Sequence, residues 1–168
     1  LRNLLFRQPG RIRILAGKLI AMKIFALIMI AISAAVSIGI SYFLSDRAKV
    51  STDLWFTSDG VHEIGKTLLN VSISVVYFGI VGMILGLLLR SPISAISIGV
   101  LWILIIENLL GAVKPVFLDW MPGSQLTTIA QGGSPDISYS HALTLGTSYV
   151  LVGAIVATVL FTRRDVAN

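Results

Sequence analysis

Long apolar runs separated by short polar stretches dominate this chain. Four runs are close to or above the roughly 20 residues that a helix needs to cross about 30 Å of hydrocarbon. They occupy about residues 19–44, 67–89, 93–113 and 142–161. The pattern predicts an all-α protein, a polytopic transmembrane helix bundle with four spans that forms a single transmembrane domain over residues 1–168.

The stretch before the first run, residues 1–18, combines an apolar stripe with positive charge. Leucines recur there at helical spacing among polar residues, which predicts a short amphipathic helix: Leu1, Leu4 and Leu5, with Arg2, Asn3 and Arg7 between them. Pro9 and Gly10 end it, because proline lacks a backbone donor and glycine tolerates a turn. A simpler alternative stays open, in which these charges only set topology and bind anionic lipid.

The two long connections between spans differ in character. Residues 45–66 form a polar loop, whereas residues 114–141 carry apolar side chains up to Pro122 and Gly123. The second connection is too short to span and too apolar for a free loop. We expect a re-entrant or interfacial hairpin there, with Trp120 at the level of the headgroups.

Lysine and arginine concentrate on one side of the predicted spans. One side holds Arg2, Arg7, Arg11, Arg13, Lys18, Arg90, Arg163 and Arg164, and the other holds Arg47, Lys49, Lys66 and Lys114. The positive-inside rule therefore predicts a multi-pass protein of the cell (cytoplasmic) membrane with both ends of this chain in the cytoplasm. Although the net charge is +5, the basic residues flank spans and form no solvated face, so we expect no nucleic-acid partner.

Composition and motifs exclude most catalytic chemistry. The chain is 55% hydrophobic and 12% charged, outside the range of soluble domains, and it contains no cysteine. No phosphate-binding loop, metal-ligand spacing or nucleophile motif is present, and His62 and His141 lack partners at ligand spacing. We therefore expect no enzyme activity, no cofactor and no metal in this chain. An intramembrane enzyme is disfavoured for the same reason.

Glu107 is the one acidic residue well inside a predicted span. An ionised carboxylate in lipid costs at least about 2.5 kcal/mol, so it should face the bundle, pair or take up a proton. One hypothesis makes Glu107 and Asn108 part of a pathway or gate. The other ends the span early, because the stretch from Gly111 to Pro115 is weakly helical, and leaves Glu107 near the outer interface.

Small residues recur along three spans and predict close helix packing. The second span carries Gly79, Gly82 and Gly86, which include one GxxxG pair. Serines at 33, 37 and 41 mark the first span, and Gly153 and Ala157 mark the fourth. These stripes support a bundle and carry no further function.

The order of these features resembles the permease subunits of type-2 ATP-binding-cassette exporters. That family has a leucine-rich cytoplasmic helix, a Pro-x-Arg turn and a Gly-Lys pair opening the next span, and the matching residues here are Pro9, Arg11, Gly17 and Lys18. The segments GMILGLLLR (82–90), ENLLG (107–111) and FTRRD (161–165) also fit the family. The resemblance covers essentially the whole chain as the last four of six spans. We therefore expect a longer protein in which further spans precede Leu1.

The resemblance implies a permease that moves cargo with energy from a partner. Two permease subunits would pair in the membrane lipid, each seated on a separate ABC ATPase subunit that binds ATP and Mg. The coupling helix that docks on this ATPase would comprise Leu1, Arg2, Leu4, Leu5, Arg7, Gln8 and Pro9, with Arg11 and Arg13 beside it. The alternative function is a non-transporting membrane anchor or assembly subunit of a membrane complex.

Overall fold

Helices and their connections make up the described part of the protein. The structure, a computed structural model, describes residues 11–89 and 91–163. Its helices are α1 (Arg11–Ala48), α2 (Ser58–Leu89), α3 (Pro92–Leu101), α4 (Glu107–Val113), α5 (Pro122–Gln131) and α6 (Tyr139–Arg163). A π-helical turn, Trp102–Ile106, joins α3 to α4, and a 3₁₀ helix, Pro115–Trp120, precedes α5.

Four helical stretches are long and apolar enough to cross a membrane. They are residues 15–48, 58–89, 92–113 and 139–160. The third consists of α3, the π turn and α4 in one continuous helix. The predicted all-α bundle with four spans is therefore confirmed as the fold class.

The helices extend beyond the apolar runs from which the spans were predicted. α1 begins at Arg11 rather than near residue 19, and only residues 49–57 separate its end from α2. The predicted polar loop 45–66 is thus mostly helical. Backbone hydrogen bonds decide where a helix ends, whereas apolar side chains decide where a span ends, and neither need follow the other.

Local capping explains the ends of α1 and α2. Lys49 has a positive φ of 54°, and the Val50 N–H donates to the Ser45 carbonyl at 3.0 Å, which closes the last turn of α1. The Thr57 hydroxyl accepts from the Gly60 N–H at 3.2 Å and caps the start of α2. A side chain at Gly60 would collide with the carbonyl groups of Leu54 and Trp55.

The tightly packed centre lies where α5 sits between α2 and α6. Leu126, Ile129 and Ala142 are buried there, with Tyr77 and Phe78 of α2 packed against them. By contrast α1 contacts chiefly α2, and the large apolar side chains on the rest of its surface are exposed. Apolar surface of this extent on a bundle of spans is the surface that a bilayer covers.

Glycines produce close approaches at some of the predicted positions and not at others. A Cβ on Gly79 would collide with Met22 of α1, and one on Gly153 would lie 2.9 Å from Ile84 of α2. Gly82 and Gly86 have no atom within 4 Å of such a Cβ. Among the described residues, this GxxxG pair therefore makes no close helix contact, and Gly82 lines a cavity.

Candidate functional site

The chain folds back on itself between the third and fourth spans. Residues 114–131, called the helical hairpin here, contain the 3₁₀ helix and α5. A Cβ on Gly111 would lie 2.9 Å from Leu118, which shows that the 3₁₀ helix packs closely against α4. Two prolines begin the two helices of the hairpin, Pro115 and Pro122, at positions where a missing N–H costs nothing.

α5 reaches well into the apolar part of the bundle. It contacts Ser74, seven residues beyond Thr67, and Gly146, seven residues into α6. At about 1.5 Å of rise per residue, Ser74 lies about 10 Å beyond Thr67, where the second predicted apolar run begins, and Gly146 lies about 10 Å beyond the start of α6. The hairpin therefore packs about 10 Å past the start of each of these apolar segments.

A buried carboxylate secures the start of α5. Glu107 is only 3% exposed. Its Oε1 accepts from the Gly123 N–H at 2.9 Å and its Oε2 accepts from the Ser124 N–H at 2.8 Å. Met121, the residue at the N-cap position of α5, offers no side-chain acceptor. Glu107 therefore supplies from another helix the negative charge and the acceptors that a helix N-terminus requires.

The π turn brings a third donor to the same carboxylate. The Trp102 indole Nε1–H donates to Glu107 Oε1 at 2.8 Å. In a regular α-helix, residues five apart point about 140° away from each other. The wider π turn places Trp102 and Glu107 on one side of the third span, so the bulge itself makes this hydrogen bond possible.

Asn108 stabilises the π turn rather than the carboxylate. Its Nδ2 donates to the carbonyl oxygens of Ile103, at 3.2 Å, and Leu104, at 3.0 Å. The side chain is exposed and makes no described hydrogen bond to Glu107. The predicted pair of Glu107 with Asn108 is thus not brought together in this structure, although both residues support the same bend in the third span.

The second hypothesis for Glu107 placed it near the outer interface, with the third span ending early. α4 continues in helical form to Val113, through Gly111. Glu107 does lie beside the connection to the fourth span, as that hypothesis expected, but buried against α5 and not at an open interface. The backbone carbonyl of Leu110 still accepts from the Lys114 N–H at 3.0 Å, so the weak helix formers near this end do not break the helix.

Further hydrogen bonds attach the hairpin to α2 and α6. The Ser74 hydroxyl donates to the Leu126 carbonyl at 2.6 Å, and the Tyr149 hydroxyl donates to the Trp120 carbonyl at 2.7 Å. His141 Nε2 lies 3.1 Å from the Asp119 carbonyl oxygen. Within the hairpin, Gln125 Nε2 donates to the Leu118 carbonyl at 3.0 Å.

A polar stripe on α2 is the signal that sequence reasoning missed. Asn70, Ser74 and Tyr77 recur at helical spacing inside an apolar run. The Asn70 side chain accepts from the Tyr139 hydroxyl, the Ser74 hydroxyl donates to the Leu126 carbonyl, and the Tyr77 hydroxyl bonds to the Thr147 hydroxyl. The stripe therefore marks the face of α2 that meets α5 and α6. Asn70 is buried in this contact.

The predicted coupling residues lie mostly outside the described part of the chain. Those outside are Leu1, Arg2, Leu4, Leu5, Arg7, Gln8 and Pro9. Arg11 is the first residue of α1, and Arg13 is exposed on its first turns.

A cavity of about 610 Å³ lies directly below the start of α5. Its walls come from α2, from α3 with the π turn, and from Pro122 and Gly123. Among the residues of the two described ranges, no group of three His, Asp or Glu side chains is placed to hold a metal ion. The cavity is lined mainly by apolar side chains and lies beside the hydrogen bonds that Glu107 makes to the start of α5.

The fold defines the class of this protein as a polytopic helical membrane protein. Within that class, the chain belongs to the DUF2705 family, whose model, described as a protein of unknown function, matches residues 2–167. Comparison with curated proteins and with solved structures gives no match.

Proposed function

We propose that this chain is the membrane permease subunit of an ATP-binding-cassette exporter, which forms a translocation path and couples to a separate ATPase subunit. The observation that carries the proposal is the helical hairpin, held by Glu107 and inserted between α2 and α6. A hairpin in this place, after the third of the four spans, resembles the re-entrant segment that caps the pathway in type-2 exporters. The sequence features at residues 9–18 and 82–90 support the same assignment.

In this proposal the chain lies in the cell membrane with both ends in the cytoplasm. The dense basic clusters then flank the ends of α1 and α6, as the positive-inside rule requires. The short turn between α2 and α3 is cytoplasmic too, and the helical hairpin lies on the outer side. Arg47, in the last turn of α1, is outside.

The proposed mechanism places ATP and Mg on the partner. Closure of two ATPase subunits would press on residues 1–9, and α1 would carry that movement across the membrane because it is one helix from Arg11 to Ala48. A second permease subunit completes the path, and the two halves exchange inward- and outward-facing states as rigid bodies. Glu107 acts in this scheme by fixing the hairpin at the outer end of the path.

The test of the proposal is capture of the ATPase from native membranes. The full-length protein should co-purify an ATPase, and charge reversal at Arg7 and Arg11, made as Arg7→Glu with Arg11→Glu, should weaken that capture. Arg47→Glu is the matched control, since it reverses an arginine at the opposite end of α1. Absence of an ATPase from the wild-type preparation would overturn the proposal and favour an anchor or assembly subunit.

The absence of cysteine permits a clean test of orientation. Single cysteines introduced by Thr52→Cys, in the α1–α2 connection, and by Ser91→Cys, in the α2–α3 turn, would be labelled in intact cells with an impermeant maleimide. Thr52→Cys should react and Ser91→Cys should react only after the cells are opened. The reverse pattern would overturn the proposed orientation.

A further inference from the structure

The cavity below the helical hairpin has the chemistry of a hydrocarbon site. Its volume of about 610 Å³ falls within the range of about 300–1,000 Å³ that small-molecule pockets occupy. Trp102 carries the one polar side-chain atom among its lining residues, and the indole N–H already donates to Glu107. The lining side chains therefore offer an occupant no hydrogen bond and no charge.

The cavity opens sideways, onto the surface that the spans present to lipid. Ile96, Val100 and Leu104 of the third span line it and are 67%, 51% and 64% exposed. These same side chains continue the exposed apolar face of that span, so the mouth of the cavity is continuous with the lipid-covered surface. Water gains nothing from entering such a space, whereas a hydrocarbon chain reaches it without leaving the bilayer.

Gly82 creates the space on the α2 wall. A Cβ at this position would have no atom within 4 Å. On the opposite wall, formed by α3, a Cβ at Gly99 would lie 3.3 Å from Leu85 of α2. The two helices α2 and α3 are therefore in contact near Gly99. Pro122 and Gly123 of α5 also line the cavity, and Glu107 holds the backbone there.

We infer that this cavity binds one acyl chain of a membrane phospholipid, which enters between α2 and the third span and ends below the hairpin. The site depends on the bilayer setting and not on the proposed exporter function. An acyl chain here would fill the gap that α2 and α3 leave and would contact the indole of Trp102. A lipid is thereby a structural partner of this bundle.

The experiment uses Trp102 as the reporter. Trp55→Phe with Trp120→Phe leaves Trp102 as the single tryptophan of residues 1–168, and any tryptophan that the full-length protein carries outside this range is also changed to phenylalanine. The protein is then placed in nanodiscs that contain a small fraction of phospholipid brominated in mid-chain. Trp102 fluorescence should be quenched and the quenching should saturate at a low fraction of brominated lipid. Gly82→Leu, which places a side chain in the cavity where an acyl chain would lie, should remove most of the saturable quenching.

Gly86→Leu is the matched control, because Gly86 is four residues along the same helix, is equally free of close atoms and does not line the cavity. Its quenching should equal that of the parent. Quenching that rises linearly with brominated lipid, or that Gly82→Leu leaves unchanged, would overturn the inference. Three other results would overturn the inference too. Quenching by brominated free fatty acid alone would identify a free acid as the occupant, and quenching by aqueous acrylamide would identify water. Quenching by brominated lipid only when protein copies are kept apart would identify a second copy. ATPase capture is measured separately, so failure of either proposal leaves the other intact.

Discussion

The two ends of this bundle are held together by different forces. At the hairpin end, polar side chains of α2, α4 and α6 bind the backbone of residues 119–126. From the hairpin towards the other end, α2 and the third span line a cavity with apolar side chains. In lipid there is little hydrophobic force between helices, so hydrogen bonds and close packing decide which regions are rigid. We therefore expect the hairpin end to be rigid and the region around the cavity to be more adaptable.

The strongest test of this difference between the two regions is the removal of Glu107. Glu107→Ala leaves three N–H groups without their acceptor, those of Trp102, Gly123 and Ser124. The Gly123 donor is buried and the other two are partly buried. Since a buried unsatisfied donor costs about 1–3 kcal/mol, the free energy of unfolding should fall by about 3 kcal/mol in mixed detergent micelles. Glu63→Ala is the control, because Glu63 makes only an exposed contact with Lys66 at 3.6 Å. Equal stability of the two variants would refute the role of the cap.

Crowding the cap should have the next largest effect. A Cβ at Gly123 would lie 2.8 Å from Glu107 Oε2, so Gly123→Ala must displace either the carboxylate or the start of α5. Overpacking of this kind typically costs about 1–3 kcal/mol. Thermal unfolding of Gly123→Ala, compared with Gly86→Ala, which meets no atom within 4 Å, measures this cost. A Gly123→Ala variant as stable as its control would show that the cap is loose.

A smaller loss is expected from the α2 contact. Ser74→Ala removes the hydroxyl that donates to the Leu126 carbonyl at 2.6 Å, worth about 0.5–1.5 kcal/mol. Ser72→Ala is matched to it, since the Ser72 hydroxyl donates back within its own helix to Leu68. Hydrogen exchange of α5 amides should rise in Ser74→Ala and stay unchanged in Ser72→Ala. If hydrogen exchange of the α5 amides rises in Ser72→Ala and stays unchanged in Ser74→Ala, the Ser74 hydroxyl does not hold α5 in place.

The smallest effect should come from the cavity end. Gly82→Leu adds a side chain into open space and replaces a weak helix former, so the free energy of unfolding should not fall and should rise by no more than about 1 kcal/mol. A loss comparable to that of Gly123→Ala would mean that this end is as tightly packed as the hairpin end, and the contrast between the two would disappear.

The sequence was sufficient for the coarse fold and insufficient for the site, for physical reasons. Apolar run lengths identify four spans because the bilayer thickness imposes them, and Glu107 stood out because a charge in a span is costly. Its partners did not stand out: two are backbone N–H groups of Gly123 and Ser124, 16 and 17 residues away. A contact between a side chain and a distant backbone leaves no residue type in the sequence to mark it.

The π turn has a further consequence for the third span as a whole. Winding residues 102–106 as regular α-helix without changing their number would rotate α4 by about 100° relative to α3, because the π turn takes up one extra residue. Glu107 then either leaves the start of α5 or keeps it while the α3 wall turns away from the cavity. The five-residue turn therefore sets the rotation of α4 relative to α3. With this rotation Glu107 reaches the start of α5 while α3 lines the cavity, and the same residues in unbroken α-helix could not do both.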